Sequence, residues 1–552
     1  MMAYRESTRG FAVFIISALA FPVLLAACNG SSPGAPGPIS VTQCSGSSCT
    51  PQGAPSSTPV TVKQLCPESL DYSTTYTGGS GSGEYIKVQF DSTKMQYQMT
   101  FVESFVPTSA GQINQSRAGL TITGSYVHPN QYQVTDSTGK VSTPYALLTA
   151  EQNRCAILLE NGATSDRSYS ITVNPQDPPM LFVGEGIVGG GIPGASIQFN
   201  GVQLFPGYTI GAVPARTFDS YPFLGFSQTV TDFSKVAGTY NELGFRVTPE
   251  GTSFQSGAPV VTAGSNVGWQ PDAIQASETF NADGSCVPDT STYSCKSTGA
   301  PWTLRTNANG TPDNVFVSTP PSGQFYYPAV GQSITQLVGG TNSAHGIMIV
   351  GNVNGQLVPV IIRVGYASTT AGNPFASVLD DQLGISLLAP ASQLTSGSLS
   401  GGYIGANSAS ACGAVTYGGA VQGSVVINGQ YTTAYASAGA CIDGSASSAP
   451  GVNYTSTLFQ GSVGKLIDPF TTVDSGDFNF DYTQSKPGLV NVTAARPLMS
   501  GNTQIYKAGD TGVMVQVGPV YGLLMNGVNT PSATPTQAGI VNPYLSIGAF
   551  VQ

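Results

Sequence analysis

From residue 84 onwards, apolar and polar residues alternate with a period of two along much of the chain. In EYIKVQF (84–90), Ile86, Val88 and Phe90 fall on one side and Lys87 and Gln89 on the other. DSTK (91–94) turns the chain, and in MQYQMTF (95–101) Met95, Tyr97, Met99 and Phe101 again share a side. Successive side chains of a strand point to opposite faces, so this pattern predicts a β-hairpin with one buried face. The same texture returns in GLTITGSYV, SYSITV, NVFVS, GIMIVG, VPVIIRV, VVINGQYT, FNFDY and GVMVQV. A helical period is found at SVLDDQLGISLLA (377–389), where Asp380 and Asp381 would suit a helix amino terminus. The expectation is an all-β protein with one or two short helices.

Two parts of this pattern align with each other. VAGTYNELGF (236–245) matches LSGGYIGANS (399–408), placing Gly238-Thr239-Tyr240 against Gly401-Gly402-Tyr403. TFNADGSC and YASAGAC follow, ending at Cys286 and Cys441. VFVSTPPSGQFYY (315–327) then matches VNVTAARPLMSGNTQIY (490–506), and HGIMIVGNVNG (345–355) matches TGVMVQVGPVYG (511–522). From first to last match, Gly238 to Gly346 and Gly401 to Gly512, the spans are 108 and 111 residues. Ordered matches at near-equal spacing predict a domain duplication. Each unit would hold about eight short strands, which can remove their edges by closing into an up-and-down barrel; a two-sheet sandwich is the alternative.

The expected layout is a diverged β-domain over 61–225, repeats over 226–368 and 398–552, and a linker with a short helix over 369–397. The G-x-Y of DFSKVAGTYN is similar to the G-x-W of lipocalins, with Tyr240 in place of Trp and Arg363 as the candidate for that family's late arginine. This resemblance implies two or three small lipocalin-like antiparallel barrels in tandem. It extends to Gram-negative surface lipoproteins that carry such barrels on a tether.

The amino terminus carries its own signal. Arg5 and Arg9 precede an apolar run from Phe11 to Leu24, the length of a signal-peptide core and too short for a spanning helix. Leu25-Ala26-Ala27-Cys28 resembles the bacterial lipobox. That resemblance implies cleavage between Ala27 and Cys28, a diacylglyceryl group on the Cys28 thiol, and an acyl chain such as palmitate on the new amino terminus. Several chains, at about 0.8 kcal/mol per buried CH₂, make a stable anchor. Asn29 follows, where an Asp often retains such lipoproteins at the inner membrane, so the resemblance implies the outer membrane, at its periplasmic face or the cell surface. Residues 1–27 are then a lipoprotein signal peptide. Residues 28–60, rich in Ser, Gly, Pro and Thr, are a flexible tether that cannot bury enough apolar area to fold.

Composition narrows the partners. Charged residues make up 9% of the chain and the formal net charge is −10; removing residues 1–27 takes away Arg5, Arg9 and Glu6 and leaves −11. That argues against nucleic acid, which needs a basic face. With Cys28 lipidated, eight cysteines remain, and an even number in an exported chain suggests disulfides. The candidate pairs are Cys44–Cys49, Cys66–Cys155, Cys286–Cys295 and Cys412–Cys441. No CxxC occurs and the chain has two histidines, so neither a metal site nor a cofactor is expected. DSGDFNFDY (474–482) puts Asp477, Asn479 and Asp481 on one face of a strand. A calcium loop would need Gly near the place of Tyr482.

No catalytic set is evident. There is no G-x-S-x-G, and GSLSG (397–401) has Leu at its centre. A triad base would have to be His128 or His345, each read as a turn or strand-end residue. Ser137–Lys140 lies in an apparent turn and Ser462–Lys465 in β texture, whereas Ser-x-x-Lys chemistry needs a buried helix. FVGEGIVGGGIPGAS (182–196) lacks the Lys and following helix of a phosphate loop and reads as a flexible β-connection. The expectation is a binding lipoprotein and not an enzyme. It would take a small apolar ligand in a barrel or an envelope or host protein along its loops. The rivals are a structural or adhesive envelope protein with filled domains, and an enzyme of unfamiliar type. The first two divide on whether the barrels are packed, the third on whether a histidine meets a carboxylate and a hydroxyl in a pocket.

Overall fold

The computed structural model describes residues 64–109, 115–147, 150–175, 178–199, 202–205, 208–210, 213–249, 269–288, 301–318, 345–368, 378–380, 383–396, 398, 401–407, 423–427, 430–434, 454–460, 463–467, 477–500, 503–506, 508–525 and 544–550. Cys28, the tether, Cys44, Cys49, Cys295, Cys412, Cys441 and Ser462 lie outside them.

Three successive sets of eight antiparallel strands dominate the described residues, and a two-residue strand, Ser170–Ile171, adds a ninth to the first sheet. The first set comprises β1 (Tyr76–Ser80), β2 (Tyr85–Asp91), β3 (Gln96–Glu103), β4 (Thr121–Val127), β5 (Ala156–Ala163), β6 (Met180–Val183), β7 (Ile187–Phe199) and β8 (Val213–Phe226). Neighbours in sequence pair, β4 pairs with β5, and β1 pairs with β8 with Thr77 opposite Phe226, so this sheet closes into a ring. The middle set is β9 (Gly238–Pro249), β10 (Trp269–Phe280), β11 (Cys286–Pro288), β12 (Trp302–Thr306), β13 (Pro312–Ser318), β14 (His345–Val353), β15 (Gln356–Val364) and β16 (Leu383–Pro390). Its first and last strands pair, Tyr240 opposite Pro390; between β11 and β12 the Trp302 N–H donates to the Gly284 carbonyl at 2.8 Å. The last set is a closed barrel of β17 (Gly401–Asn407), β18 (Tyr454–Gln460), β19 (Val463–Ile467), β20 (Phe478–Asp481), β21 (Val490–Ala494), β22 (Thr511–Val517), β23 (Val520–Met525) and β24 (Tyr544–Phe550). Tyr403 on β17 stands opposite Phe550 on β24.

The sequence matches correspond strand for strand. Each G-x-Y opens the first strand of its ring; VFVS and VNVT lie in the fifth strands, HGIMIV and TGVMVQV in the sixth. The most apolar runs are strands buried on both faces, which removes the alternation. On β14, Ile347 and Ile349 join a core shared by all three rings, with Val188 and Phe226 of the first and Leu524 and Ala549 of the last; Met348 and Val350 point into the middle ring. Close approach of the first two rings requires glycine at 351, where a Cβ would lie 2.2 Å from the Phe226 ring.

Side chains fill the lumens of the first and middle rings where they are described. In the first ring Tyr97 lies over Gly124 and Phe223 over Gly78, large residues facing small ones. In the middle ring Phe233, on a 3-10 turn (Phe233–Val236) whose Asp232 side chain accepts from the Ser234 N–H, inserts against Phe316 and Phe280 at 4.9 and 6.1 Å between ring centroids. Tyr240, Trp302 and Leu388 complete that cluster.

Two local expectations are corrected. Residues 377–389, expected to be helical, contain strands Val378–Asp380 and Leu383–Pro390. Ile385, Leu387 and Ala389 pack into the shared core and Leu388 into the lumen, so ring closure overrides the helical period. The glycine run at 182–196 is mostly the long strand β7, not a loose connection; Gly190 pairs with Leu181 and Phe223. The helix that does form is α1 (Ala150–Cys155).

Candidate functional site

In an up-and-down ring, alternate connections gather at opposite ends, and the two ends of the first ring carry different chemistry. The β1–β2 turn brings Glu84 to one end and the β3–β4 connection brings Arg117. Both side chains are fully buried and form a bidentate ion pair, with Nε at 2.5 Å from Oε1 and Nη2 bonded to Oε2. Ser104 donates to Oε1 and Ser82 to Oε2, each at 2.5 Å, and Ser80 bonds to Ser82. The guanidinium lies 4.3 Å from the Phe101 ring centroid, and Nη1 donates to the Gly194 carbonyl at 3.4 Å. Burial pulls the Arg117 pKa down, but the Glu84 charge and hydrogen bonds outweigh it and hold the guanidinium charged. Beside this pair opens a cleft of about 300 Å³, lined by Thr108, Ser109, Ser170, Thr172 and Ser196 hydroxyl residues with Tyr169 and Phe218.

The chain enters at the opposite end. The Leu65 N–H donates to Glu151 Oε1 at 3.0 Å, and Arg154 donates to the carbonyls of Pro67 and Cys66 at 2.9 and 3.2 Å. Glu151 and Arg154 are themselves paired at 2.6 Å on α1. A disulfide joins Cys66 to Cys155, packed among Tyr145, Leu158, Met180 and Phe182. Cys286 is also disulfide-bonded, its partner lying outside the described residues.

A chain of charges links the first and middle rings. Lys87 pairs with Asp313 at 2.5 Å, Arg305 joins Asp313 to Glu103, and His345 Nε2 lies 2.7 Å from Glu103 Oε2. The Glu103 carboxyl sits below its ordinary value of 4.5: burial pushes it up, and the His345 hydrogen bond and charge, with Arg305, pull it further down. A carboxyl depressed in the fold adds stability that is present above its unfolded pKa and lost as pH falls through the folded one. Urea midpoints measured between about pH 5 and pH 3 should therefore fall for the native chain, and fall less steeply for Glu103→Gln. Equal slopes would remove this seam from the acid response.

The remaining sequence candidates are dispersed. His128 Nδ1 lies 2.9 Å from the Ala156 carbonyl, at the end of the first ring that carries the Cys66–Cys155 disulfide. Ser137 and Lys140 occupy an exposed turn in which Asp136 accepts from the N–H groups of Thr138 and Lys140. Lys465 is within β19, and Asp477 pairs with Arg496 at 2.9 Å. Phe478 and Phe480 are buried while Asn479 and Asp481 are exposed, as on a strand with one wet face. The Glu84–Arg117 pair was missed; its members are 33 residues apart, in a turn and a loop, and no spacing rule marks them.

No helix among the described residues is long and apolar enough to cross a membrane. Residues 96–549 match the family described as a protein of unknown function, DUF2957. The chain belongs to the DUF2957 family. No curated protein matches it. Among solved structures, the DUF2957 chain is similar to transferrin binding protein B from Haemophilus parasuis, a point mutant, at 8% identity over 88% of this chain and 76% of that one, with a TM-score of 0.20. The intact Ap-TbpB with its N and C lobes gives 9% identity, 88% and 77% coverage and 0.19. The protein from serogroup B Neisseria meningitidis gives 11%, 85%, 66% and 0.18. At these scores no partner is carried over.

Proposed function

We propose that this DUF2957 protein is a lipid-anchored cell-envelope protein that presents the first ring's hydroxyl-lined end to a polar partner, and that it is a binding protein, not an enzyme. The observation that carries this reading is the polarity of the first ring. The chain coming from the tether is clamped at one end, and the cleft beside Glu84–Arg117 opens at the other. An anchor pulling on Cys66 leaves the cleft facing away from the membrane. The filled lumens favour recognition at ring ends over capture of a small apolar molecule. Among the described residues the exposed large apolar side chain is Val141, so the described surface offers polar contacts.

Native mass spectrometry of residues 63–552, expressed into an oxidising compartment, tests the choice of ligand. A bare protein mass is expected; a discrete apolar adduct lost on denaturation would sink the reading. The anchor has its own test. Cys28→Ser should move the chain from the membrane to the soluble envelope fraction and remove the mass of the acyl groups. Unchanged partition would end the lipoprotein assignment.

A further inference from the structure

The cleft at the hydroxyl-lined end of the first ring has a floor and a rim of different character. Ile171 and Phe218 line it from buried positions, whereas Ser170, Thr172 and Ser196 are exposed and Tyr169 is half-buried. Phe218 lies against Tyr221 with 5.3 Å between ring centroids and the planes tilted by 33°. The floor is therefore apolar and partly aromatic, and the rim carries hydroxyls. Among the described residues that line the cleft, none is acidic or basic. The Glu84–Arg117 pair reaches it only through the Gly194 carbonyl, and its two charges satisfy one another.

These parts are held in place by backbone pairing. Ala195 stands opposite Phe218 and Ser196 opposite Thr217 in the long ladder of β7 and β8. Ser170 and Ile171 pair with Ala163 and Gly162 at the end of β5. The Tyr169 N–H donates to Thr164 Oγ1 at 3.1 Å, and the Tyr169 carbonyl accepts from the Thr164 N–H at 2.9 Å. Little backbone ordering is left to be done when a ligand arrives, so contacts that are weak one by one can add up to binding.

The chemistry of floor and rim narrows the ligand. An anion or a metal ion would leave water and find no opposite charge among these residues. A wholly apolar molecule would strip water from the rim hydroxyls and return no hydrogen bonds. An extended peptide needs a sheet edge to pair with, and the edge strand beside the cleft, Ser170–Ile171, is two residues long. A neutral sugar matches both halves. The C–H face of its ring packs on an apolar and aromatic floor, and its hydroxyls, which donate and accept, exchange hydrogen bonds with serine and threonine hydroxyls that do the same. A volume of about 300 Å³ is at the small end of ligand clefts and suits the terminal unit of a glycan.

We propose that this cleft binds the neutral terminal sugar of a glycan, with Phe218 and Tyr169 against the sugar ring and Ser170, Thr172 and Ser196 on its hydroxyls. This rests on the reading of the ring end as a surface for a polar partner and names that partner's chemistry. The test applies the full lipidated chain, in a detergent without a sugar headgroup, to an array of neutral glycans and their sialylated and sulfated counterparts. Binding is expected on neutral glycans that share a terminal sugar. Ser196→Trp, which sets a bulky ring on the rim from an exposed strand position, should abolish it. Thr172→Val, which keeps the shape and removes one hydrogen bond, should weaken it about two- to tenfold. Lys140→Ala, in the exposed turn of residues 136–140, should leave it unchanged. Unfolding temperatures equal to the native one show that the variants fold; should Ser196→Trp fail to fold, Thr172→Val decides. An array without neutral binding, binding confined to the charged glycans, or full binding by the folded Ser196→Trp chain or, in its place, by Thr172→Val would each overturn the proposal. The native-mass and Cys28→Ser measurements involve no sugar, so an apolar adduct would sink the ring-end reading, whereas an array without neutral binding sinks the saccharide alone.

Discussion

Replacing Arg117 by methionine should lower folding stability by about 3–5 kcal/mol, the range for removing one partner of a buried ion pair. The loss comes less from the missing attraction than from what remains. Glu84 would be left without its counter-ion in a site with no access to water, and the hydroxyls of Ser82 and Ser104, which donate to it, do not replace the guanidinium. The Gly194 carbonyl would lose its donor as well, and Phe101 the cation over its face. The double variant Glu84→Gln/Arg117→Met removes both charges and should recover part of the loss, because a neutral amide can still accept from Ser82 or Ser104. Calorimetric unfolding of the native chain and the two variants measures this. If the single variant proves no worse than the double one, the pair is not holding this end of the first ring closed. The cleft beside it should change with it, since Gly194 is both a lining residue and the acceptor from Arg117.

Period-two alternation made most of the strands legible because each has one face inward and one outward, as in β3, where Tyr97, Met99 and Phe101 are buried and Gln96, Gln98 and Thr100 are only partly so. It fails where a strand is buried on both sides. β16 carries Ile385 and Leu387 towards the other rings and Leu388 inward, and its unbroken apolar run reads equally well as a helix. The two G-x-Y segments hold the same topological place, each in a first strand that pairs with the last strand of its ring. The first ring escaped the alignment although it closes in the same order. Closure needs only paired backbone and inward bulk, and its Tyr97-over-Gly124 packing fills the lumen with other residues than the later rings use.

The chemistry of the site was less legible than the fold, for a physical reason. Ion pairs between rings join residues with no sequence relation: the sequence pattern places His345 at a strand end, where it is, but its carboxylate lies 242 positions away on the first ring. Sequence spacing shows which residues share a face of one element; it does not show which rings touch. Once the rings are packed, Glu103 and His345 form a clamp between them, and a histidine with a carboxylate neighbour needs no catalytic role to explain it.

Removing the Cys66–Cys155 disulfide should have the other large effect. The bridge closes a loop of 89 residues, and the chain-entropy estimate for a loop of that length is about 4–5 kcal/mol. Changing both cysteines to serine puts two small polar groups among Tyr145, Leu158 and Phe182, which adds to the loss. Residues 65–67 would not come free at once, because Glu151 still accepts from the Leu65 N–H and Arg154 still donates to the Cys66 and Pro67 carbonyls. Calorimetry and amide exchange at Leu65 therefore answer different questions. A lower unfolding temperature with unchanged exchange at Leu65 would place the effect of the disulfide in the unfolded chain. Faster exchange at Leu65 as well would show that it fastens the incoming chain to the ring. An unchanged unfolding temperature would mean that the loop is already restricted without the bridge, and that the hydrogen bonds of α1 hold residues 65–67 by themselves.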